Sequence, residues 1–409
     1  MTSAAPGPVA TLDSGPGRSE EGGGPAASDS DSGARPGGAA RRAAAPLALD
    51  FTLPPEREAH EPPEARGAPR DGVAMLVSRG AADQISHHPF AGLPALLLPG
   101  DLLVVNTSAT LPAAVPATMP AGLTAHFSTP LSTGNWLVEL RAAGGGATVP
   151  HRGGSPGQRL ELRGGAVLTL GVRFTPRLWR ARLSTAVVPY LLRHGMPIRY
   201  SYVPRPWPIE SYQTVFGGTP GSAEMPSASR PFTPEIVTRL VARGITFAPL
   251  TLHTGVSSLE GDEDPYPEPY DVPPATARLV NLTRRHGGRV IAVGTTVARA
   301  LETAARRPGP HPVSRPAARP PPRSAARPVS ESAARAVFPS AGWTEHIVTP
   351  ANPLLAVDGL LTGLHEPRSS HLRMLAAVTS PGVLSRCYAA AIDRGYLWHE
   401  FGDVHLLLP

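Results

Sequence analysis

The sequence predicts an α/β layered domain with an inserted small antiparallel β-barrel, and three observations predict it. From about residue 185 onward, strand-like apolar runs alternate with amphipathic helices, which argues for an α/β layer. Between 107 and 184 the texture changes to short alternating segments, LTAHF, NWLVELR, QRLELR, AVLTLGVRF and LWRARLS, separated by Gly- and Pro-containing turns, the spacing of a barrel. Earlier, VAMLVS (73–78) and DLLVVN (101–106) read as strands of the same sheet as the later ones. The α/β domain is therefore expected to be discontinuous, 46–106 plus 185–409, with the barrel at 107–184.

The later elements follow from local signals. In FTPEIVTRLVARG, Thr233 is placed as N-cap, Pro234 at the first helical position and Glu235 in the first turn, with Gly244 closing the helix. Ile236, Val237, Leu240 and Val241 form its apolar face. ITFAPLTL (245–252) is a buried strand ending at His253, and a helix spans about 274–286. GGRVIAVGTTVARALE then reads as a strand over Val290, Ile291, Ala292 and Val293, a tight turn at Gly294 and a helix opened by Thr295 and Thr296. A strand at 345–349, the run LLAVDGLLTG, helices near 370–379 and 381–394, and a last strand DVHLLL complete the reading. Residues 1–45 and the Arg/Pro-rich 306–336 lack the large apolar side chains that offset the entropy of ordering, so both are expected to be disordered.

Composition removes several function classes. The formal charge is +6, and seven arginines against one glutamate between 306 and 335 account for the whole excess, leaving the remainder formally neutral. There is no lysine, which excludes Schiff-base catalysis and a P-loop. Cys387 is the only cysteine, so disulfides, thiolate clusters and C-x-x-C redox pairs are excluded, and VLSRCYAAAI reads as a helix that packs the thiol. No apolar run reaches 18 residues and no signal peptide is visible, from which a cytoplasmic protein without membrane contact is expected.

Ligands in open α/β sheets bind beyond the carboxyl ends of the strands. LHTG after 245–252, GTT after 289–293 and LHEPRSS (364–370) all fall at such ends, where a Gly or Pro shapes the backbone beside a His or Thr. The bland reading of His253 or His365 alone is a satisfied structural histidine; their joint placement with Thr295 and Thr296 favours a pocket. Arg299 and Glu302, one helical turn apart, read as a surface ion pair, and Asp403 as a turn residue. The histidine spacings at 365/371 and 399/405 do not suit a helical metal site, so no metal is expected, and no G-x-G-x-x-G occurs at a strand–helix turn.

Six motifs in order then carry a family resemblance: ESYQTVFGGTPGSAEMPSASRPFTPEIVTRL, TLHTG, RVIAVGTTVARALE, GWTEHIVTP, LTGLHEPRSS and FGD. Together they resemble the S-adenosylmethionine:tRNA ribosyltransferase-isomerases of queuosine biosynthesis over about 50–409. The resemblance implies an α/β domain with an inserted barrel. It implies transfer of the ribosyl part of S-adenosylmethionine to the aminomethyl arm of a 7-deazaguanine at the tRNA wobble position. Adenine and methionine leave, and the sugar rearranges to give epoxyqueuosine. The sulfonium acidifies the adjacent ribose carbon, so the chemistry needs a base there and a donor for departing adenine.

Carried over by position, the resemblance implies catalytic roles for His253, His365, Asp403 and Tyr212. Binding of the S-adenosylmethionine falls to Gly294, Thr295, Thr296, Arg299, Gln213, Gly255 and Glu268. Partners implied are the tRNA anticodon loop and no membrane, with the chain a monomer. The pattern also departs from the family. Pro231 stands where the family has a His, Thr107 where it has an Asp, and Val73 and Ala74, Ala109 and Ala114 stand in places that include its arginines. Tyr266 replaces a His, Ser229 a Gly, Arg368 a Lys, and SSL (257–259) the family's GTF. Proline cannot exchange a proton and alanine cannot fork onto phosphate, so cofactor binding is expected to survive better than wobble-base recognition. Two other readings stand beside the family activity: transfer from S-adenosylmethionine to another acceptor, and non-catalytic binding of S-adenosylmethionine or RNA.

Overall fold

The computed structural model describes residues 49–80, 82–131, 134–144, 147–256, 265–306 and 336–409. The expected tail at 1–45, all of the expected insert except Arg306 and Ala336, and SSL at 257–259 lie outside the described residues.

A nine-stranded sheet has the spatial order Ser340–Thr344, Glu268–Val272, Thr246–Leu252, Leu102–Asn106, Val290–Val293, Gly359–Gly363, Val404–Leu408, Ala74–Arg79 and Gln84–Pro89. The early strands at 74–79 and 102–106 thus join the same sheet as the late ones. The four central strands, 246–252, 102–106, 290–293 and 359–363, run parallel, so their carboxyl ends share one edge. Such strands are covered on both faces, and Leu102, Leu103, Val290 and Ile291 are each fully buried. Val404–Leu408 and Ala74–Arg79 run the other way, which brings their amino ends to that same edge.

The barrel is a closed ring of six antiparallel strands: Leu178–Leu183, Val167–Arg173, Arg159–Leu162, Ala114–Met119, Leu123–Pro130 and Trp136–Ala142, the last pairing back with the first. Its core is Leu140, Leu160, Leu162, Leu168, Phe127 and Trp179. The fold class is the predicted one, a layered α/β domain with a small antiparallel barrel.

Helix signals translate into geometry. Thr233 Oγ1 accepts the Ile236 N–H at 3.3 Å and the helix runs Pro234–Ala242. The helix Pro381–Asp393 is capped by Ser380 and buries Cys387 completely. One strand assignment is corrected. Ser340–Thr344 is the strand near the end of that segment, not 345–349. There Thr344 Oγ1 takes the His346 N–H at 3.2 Å and turns the chain out of the sheet. Glu268–Val272 is a strand to which the sequence reading assigns none. It contains Pro269 and is flanked by Pro265, Pro267, Pro273 and Pro274, yet pairs on both sides, with the Pro269 carbonyl accepting the His253 N–H at 3.0 Å. Among the described residues no single helix is long and apolar enough to cross a membrane.

Candidate active site

A cavity of about 270 Å³ opens beyond the carboxyl ends of 246–252, 290–293 and 359–363. All three polar clusters read from the sequence reach it: Thr254 and Gly255, Gly294 to Thr296, and His365 with Glu366. Tyr200 and Glu224, which follow the barrel, and His399 and Glu400, which precede the last strand, form other parts of its wall.

The turn at Gly294 is built by its backbone. Gly294 has φ +100°, where a side chain is strained, and its N–H bonds the Leu361 carbonyl at 2.8 Å. The chain then enters the helix Thr295–Arg306, whose first N–H groups and dipole face the cavity. Thr296 Oγ1 accepts from Asn106 Nδ2 at 3.4 Å. One turn along, Arg299 is buried and ion-paired with Glu268, while Nε donates to the His346 carbonyl at 3.2 Å and Nη2 to Tyr266 O at 3.3 Å. Glu268 also accepts the Gly255 N–H at 3.1 Å. Burial pushes its carboxyl up, while the Arg299 charge and the Gly255 N–H pull against that. The pair therefore ties three cavity segments together. The surface ion pair expected between Arg299 and Glu302 does not form: Glu302 is fully buried and pairs with Arg306 instead, at 2.5 Å. Both side chains point into packing, where each finds its own partner.

His365 is held from every side. Its Nε2 lies 2.7 Å from Thr362 Oγ1, its N–H bonds Tyr388 Oη at 3.2 Å, and its carbonyl accepts from Trp398 Nε1 at 3.0 Å. Its ring lies flat on His371, with centroids 4.3 Å apart and planes 4° from parallel. Burial holds His365 well below its ordinary value and His371 down to about 4, so both are neutral near pH 7. A neutral imidazole can accept a proton.

Sequence reasoning missed Glu400, His371, Glu224 and Tyr200. Glu400 faces the cavity with Oε1 buried and without a hydrogen-bond partner, and burial, reinforced by the Glu224 charge, pushes it up to about 8. Glu224 accepts the hydroxyl of Tyr200. Tyr202 stacks on His399 with centroids 3.8 Å apart. Glu400 immediately precedes the quoted FGD, His371 immediately follows LHEPRSS and Glu224 lies inside ESYQTVFGGTPGSAEMPSASRPFTPEIVTRL, so position in or beside a motif is the signal for these three; Tyr200 carries none.

Four expected residues lie outside the cavity lining. Tyr212 is buried with its ring 5.1 Å from Phe401, its hydroxyl unpartnered and pushed up by burial. Gln213 spends its amide on the Thr110 backbone, accepting at 3.1 Å and donating at 2.8 Å. Asp403 accepts the N–H groups of Ala74 at 2.6 Å and Leu397 at 2.7 Å, joining two strand starts. His253 sits behind Thr254: Nδ1 meets Ser108 Oγ at 2.7 Å, its ring packs where a side chain on Gly221 would stand, and burial pulls it down to about 4. Nor do Ala74, Ala109, Ala114 or Pro231 line the cavity. Among the described residues no group of three His, Cys, Asp or Glu is placed to hold a metal.

Comparison with known proteins identifies the family of the chain. A family model described as Queuosine biosynthesis protein matches residues 47–407. The S-adenosylmethionine:tRNA ribosyltransferase-isomerase of Acidiphilium cryptum (strain JF-5) is 34% identical over 377 residues, covering 88% of this chain and 98% of the relative. That of Thermosynechococcus vestitus (strain NIES-2133 / IAM M-273 / BP-1) is 32% identical over 386 residues, covering 88% and 95%. A crystal structure of S-adenosylmethionine tRNA ribosyltransferase from Thermotoga maritima is 25% identical, with a TM-score of 0.47 over 88% of this chain and 99% of that one.

Proposed function

Because the chain belongs to the queuosine biosynthesis protein family, we propose that it is an S-adenosylmethionine:tRNA ribosyltransferase-isomerase. It moves the ribosyl group of S-adenosylmethionine onto a 7-aminomethyl-7-deazaguanine at the tRNA wobble position and isomerises it to epoxyqueuosine, releasing adenine and methionine. The observation that carries this reading is the convergence of the Gly294–Thr296 turn, the Glu268–Arg299 pair and His365 on one cavity.

In this reading the helix start at Thr295 and Thr296 receives the carboxylate of S-adenosylmethionine, the charge a helix N-terminus favours. Neutral His365 is the base for the proton beside the sulfonium, and His371 holds its ring in place. Glu400, which keeps its proton near neutrality, donates to the departing adenine, so one proton is taken and one is given. Gly255 and Glu268 shape the cavity rim. His253, Gln213 and Asp403 act through the segments their side chains bond, and Tyr212 through its packing on Phe401 beside Glu400.

The test is adenine release from S-adenosylmethionine, with and without tRNA bearing the aminomethyl-deazaguanine base. Release that depends on that tRNA is the expected result; release without it points to another acceptor, and binding without release to a non-catalytic protein. His365→Ala is expected to lower kcat by about a hundredfold or more, and unchanged turnover would remove His365 as the base.

A further inference from the structure

Charge is unevenly placed along the chain. Residues 114–199 hold ten arginines and two acids, Glu139 and Glu161. The neutrality of everything outside 306–335 is therefore the sum of a basic barrel and an acidic remainder. Some of these arginines serve the barrel itself: Arg141 and Arg177 are buried on Glu139, and Arg173 lies over the Trp179 ring. Four others, Arg159, Arg163, Arg180 and Arg182, are exposed, and none forms a salt bridge among the described residues.

Register puts them on one outer face. Along 178–183 and 159–162, exposed and buried residues alternate, so Arg180 and Arg182 point out while Ala181 and Leu183 point in, and Arg159 points out while Leu160 points in. Thr169 pairs with Arg159 on one side and Arg182 on the other. The two arginines therefore spring from one cross-strand row, two strand spacings or about 10 Å apart. Arg180 is two residues along, its guanidinium 5.6 Å over the Phe174 ring, and Arg163 occupies the adjoining hairpin turn. The acid on this face is Glu161. Clustered like charges repel and lower stability, and the barrel core makes no use of these four.

The row also lies towards the cavity end of the barrel. Trp136 pairs with Pro130 and with Ala181, which gathers the ends of 123–130 and 178–183 at one rim. Ser128, at that rim, accepts the N–H of the cavity residue Val256 at 3.0 Å. Arg182 stands next to the last residue of its strand there.

We propose that this outer face of the barrel binds the phosphate backbone of RNA, seating the stem of the tRNA whose wobble base enters the cavity. The choice of tRNA rests on the function proposed above; the choice of phosphate backbone rests on the unpaired guanidinium row, which forks onto phosphate oxygens. Each phosphate neutralised steepens the salt dependence of binding by about 0.7 to 0.9 in log–log slope.

The experiment measures binding of an unmodified tRNA transcript by fluorescence anisotropy across a salt series. It compares the full chain, Arg159→Glu/Arg182→Glu, and a control of equal charge change, Arg239→Glu/Arg243→Glu, on an exposed helix end of the α/β domain. The barrel variant is expected to weaken binding about tenfold or more at 0.15 M salt and to flatten the slope by about 1 to 2. The control should shift affinity by less than threefold. Calorimetric affinity for S-adenosylmethionine and the melting temperature, read on the same samples, show that the variant is folded. Equal weakening in both variants overturns the proposal, as does capture of phosphatidylglycerol vesicles through Arg159 and Arg182 with RNA binding unaffected. A chain that binds the transcript through this face yet releases no adenine removes the ribosyl-transfer reading and leaves the surface standing. Adenine release with tRNA that ignores Arg159 and Arg182 removes the surface alone.

Discussion

Glu400 keeps its proton to about pH 8 because its carboxyl is buried beside the Glu224 charge with one oxygen unpartnered. In the unfolded chain the same group ionises near 4.5. Between those two values the native state binds the extra proton, so stability falls as pH rises from about 4.5 to about 8 and is flat above. Each unit of pH in that window costs up to about 1.4 kcal/mol. Glu400→Gln keeps the shape and removes the titration. Its melting temperature is expected to match wild type near pH 5 and to exceed it increasingly towards pH 8.5, while adenine release falls at every pH. A constant difference across the series would show that Glu400 is ionised in the native protein. The stacked histidines act in the opposite sense: held neutral by burial, His371 costs stability only as pH drops through 6.5 towards about 4.

The helix Thr295–Arg306 is the element on which the cavity depends, and it is anchored at its far end by Glu302. That fully buried carboxylate accepts the N–H groups of Leu355, Ala356 and Val357 at 2.7, 2.9 and 3.2 Å, and pairs with Arg306. Glu302→Gln puts an amide donor where donors already converge, which should cost about 2 to 4 kcal/mol in urea unfolding. Affinity for S-adenosylmethionine should weaken with it, since Arg299 sits on the same helix; unchanged stability would mean the three N–H groups find water instead. At this scale the sequence was informative where one signal decided the outcome. Thr233 before Pro234 set a helix start, and Val290 to Gly294 set a strand and its turn, because caps, apolar runs and glycine act locally. It was uninformative where a distant partner decided. Nothing near Arg299 announces Glu268, and nothing near Glu302 announces a loop more than fifty residues on. Gln213 and Asp403 carry polar groups that look reactive in sequence and bond the backbone of other segments, while Tyr212 packs its ring against Phe401 and leaves its hydroxyl unpartnered.

At the scale of the molecule, the two cores meet where Gly255 crosses the rim of the barrel. A side chain there would stand 2.6 Å from Ser128 Oγ and 2.9 Å from Thr129 Oγ1, both buried on a barrel strand. The Gly255 N–H holds Glu268 and the next N–H, of Val256, holds Ser128, so the same two peptides clamp the cavity wall and the barrel together. Such a contact cannot be read from periodicity, because each strand satisfies its own pattern without reference to the other core. Gly255→Ala must displace the Ser128 and Thr129 hydroxyls, and with Ser128 the acceptor of the Val256 N–H, or shift the peptide that holds Glu268, and neither movement requires either core to unfold. Affinity for S-adenosylmethionine is therefore expected to fall about tenfold, equivalent to about 1.4 kcal/mol, with a melting temperature lowered by only a few degrees. Adding Ser128→Ala removes the nearer clash but also the acceptor for the Val256 N–H, so the double variant should recover part of the lost affinity. If the two losses simply added, the steric account would be wrong and the glycine would matter through its backbone alone.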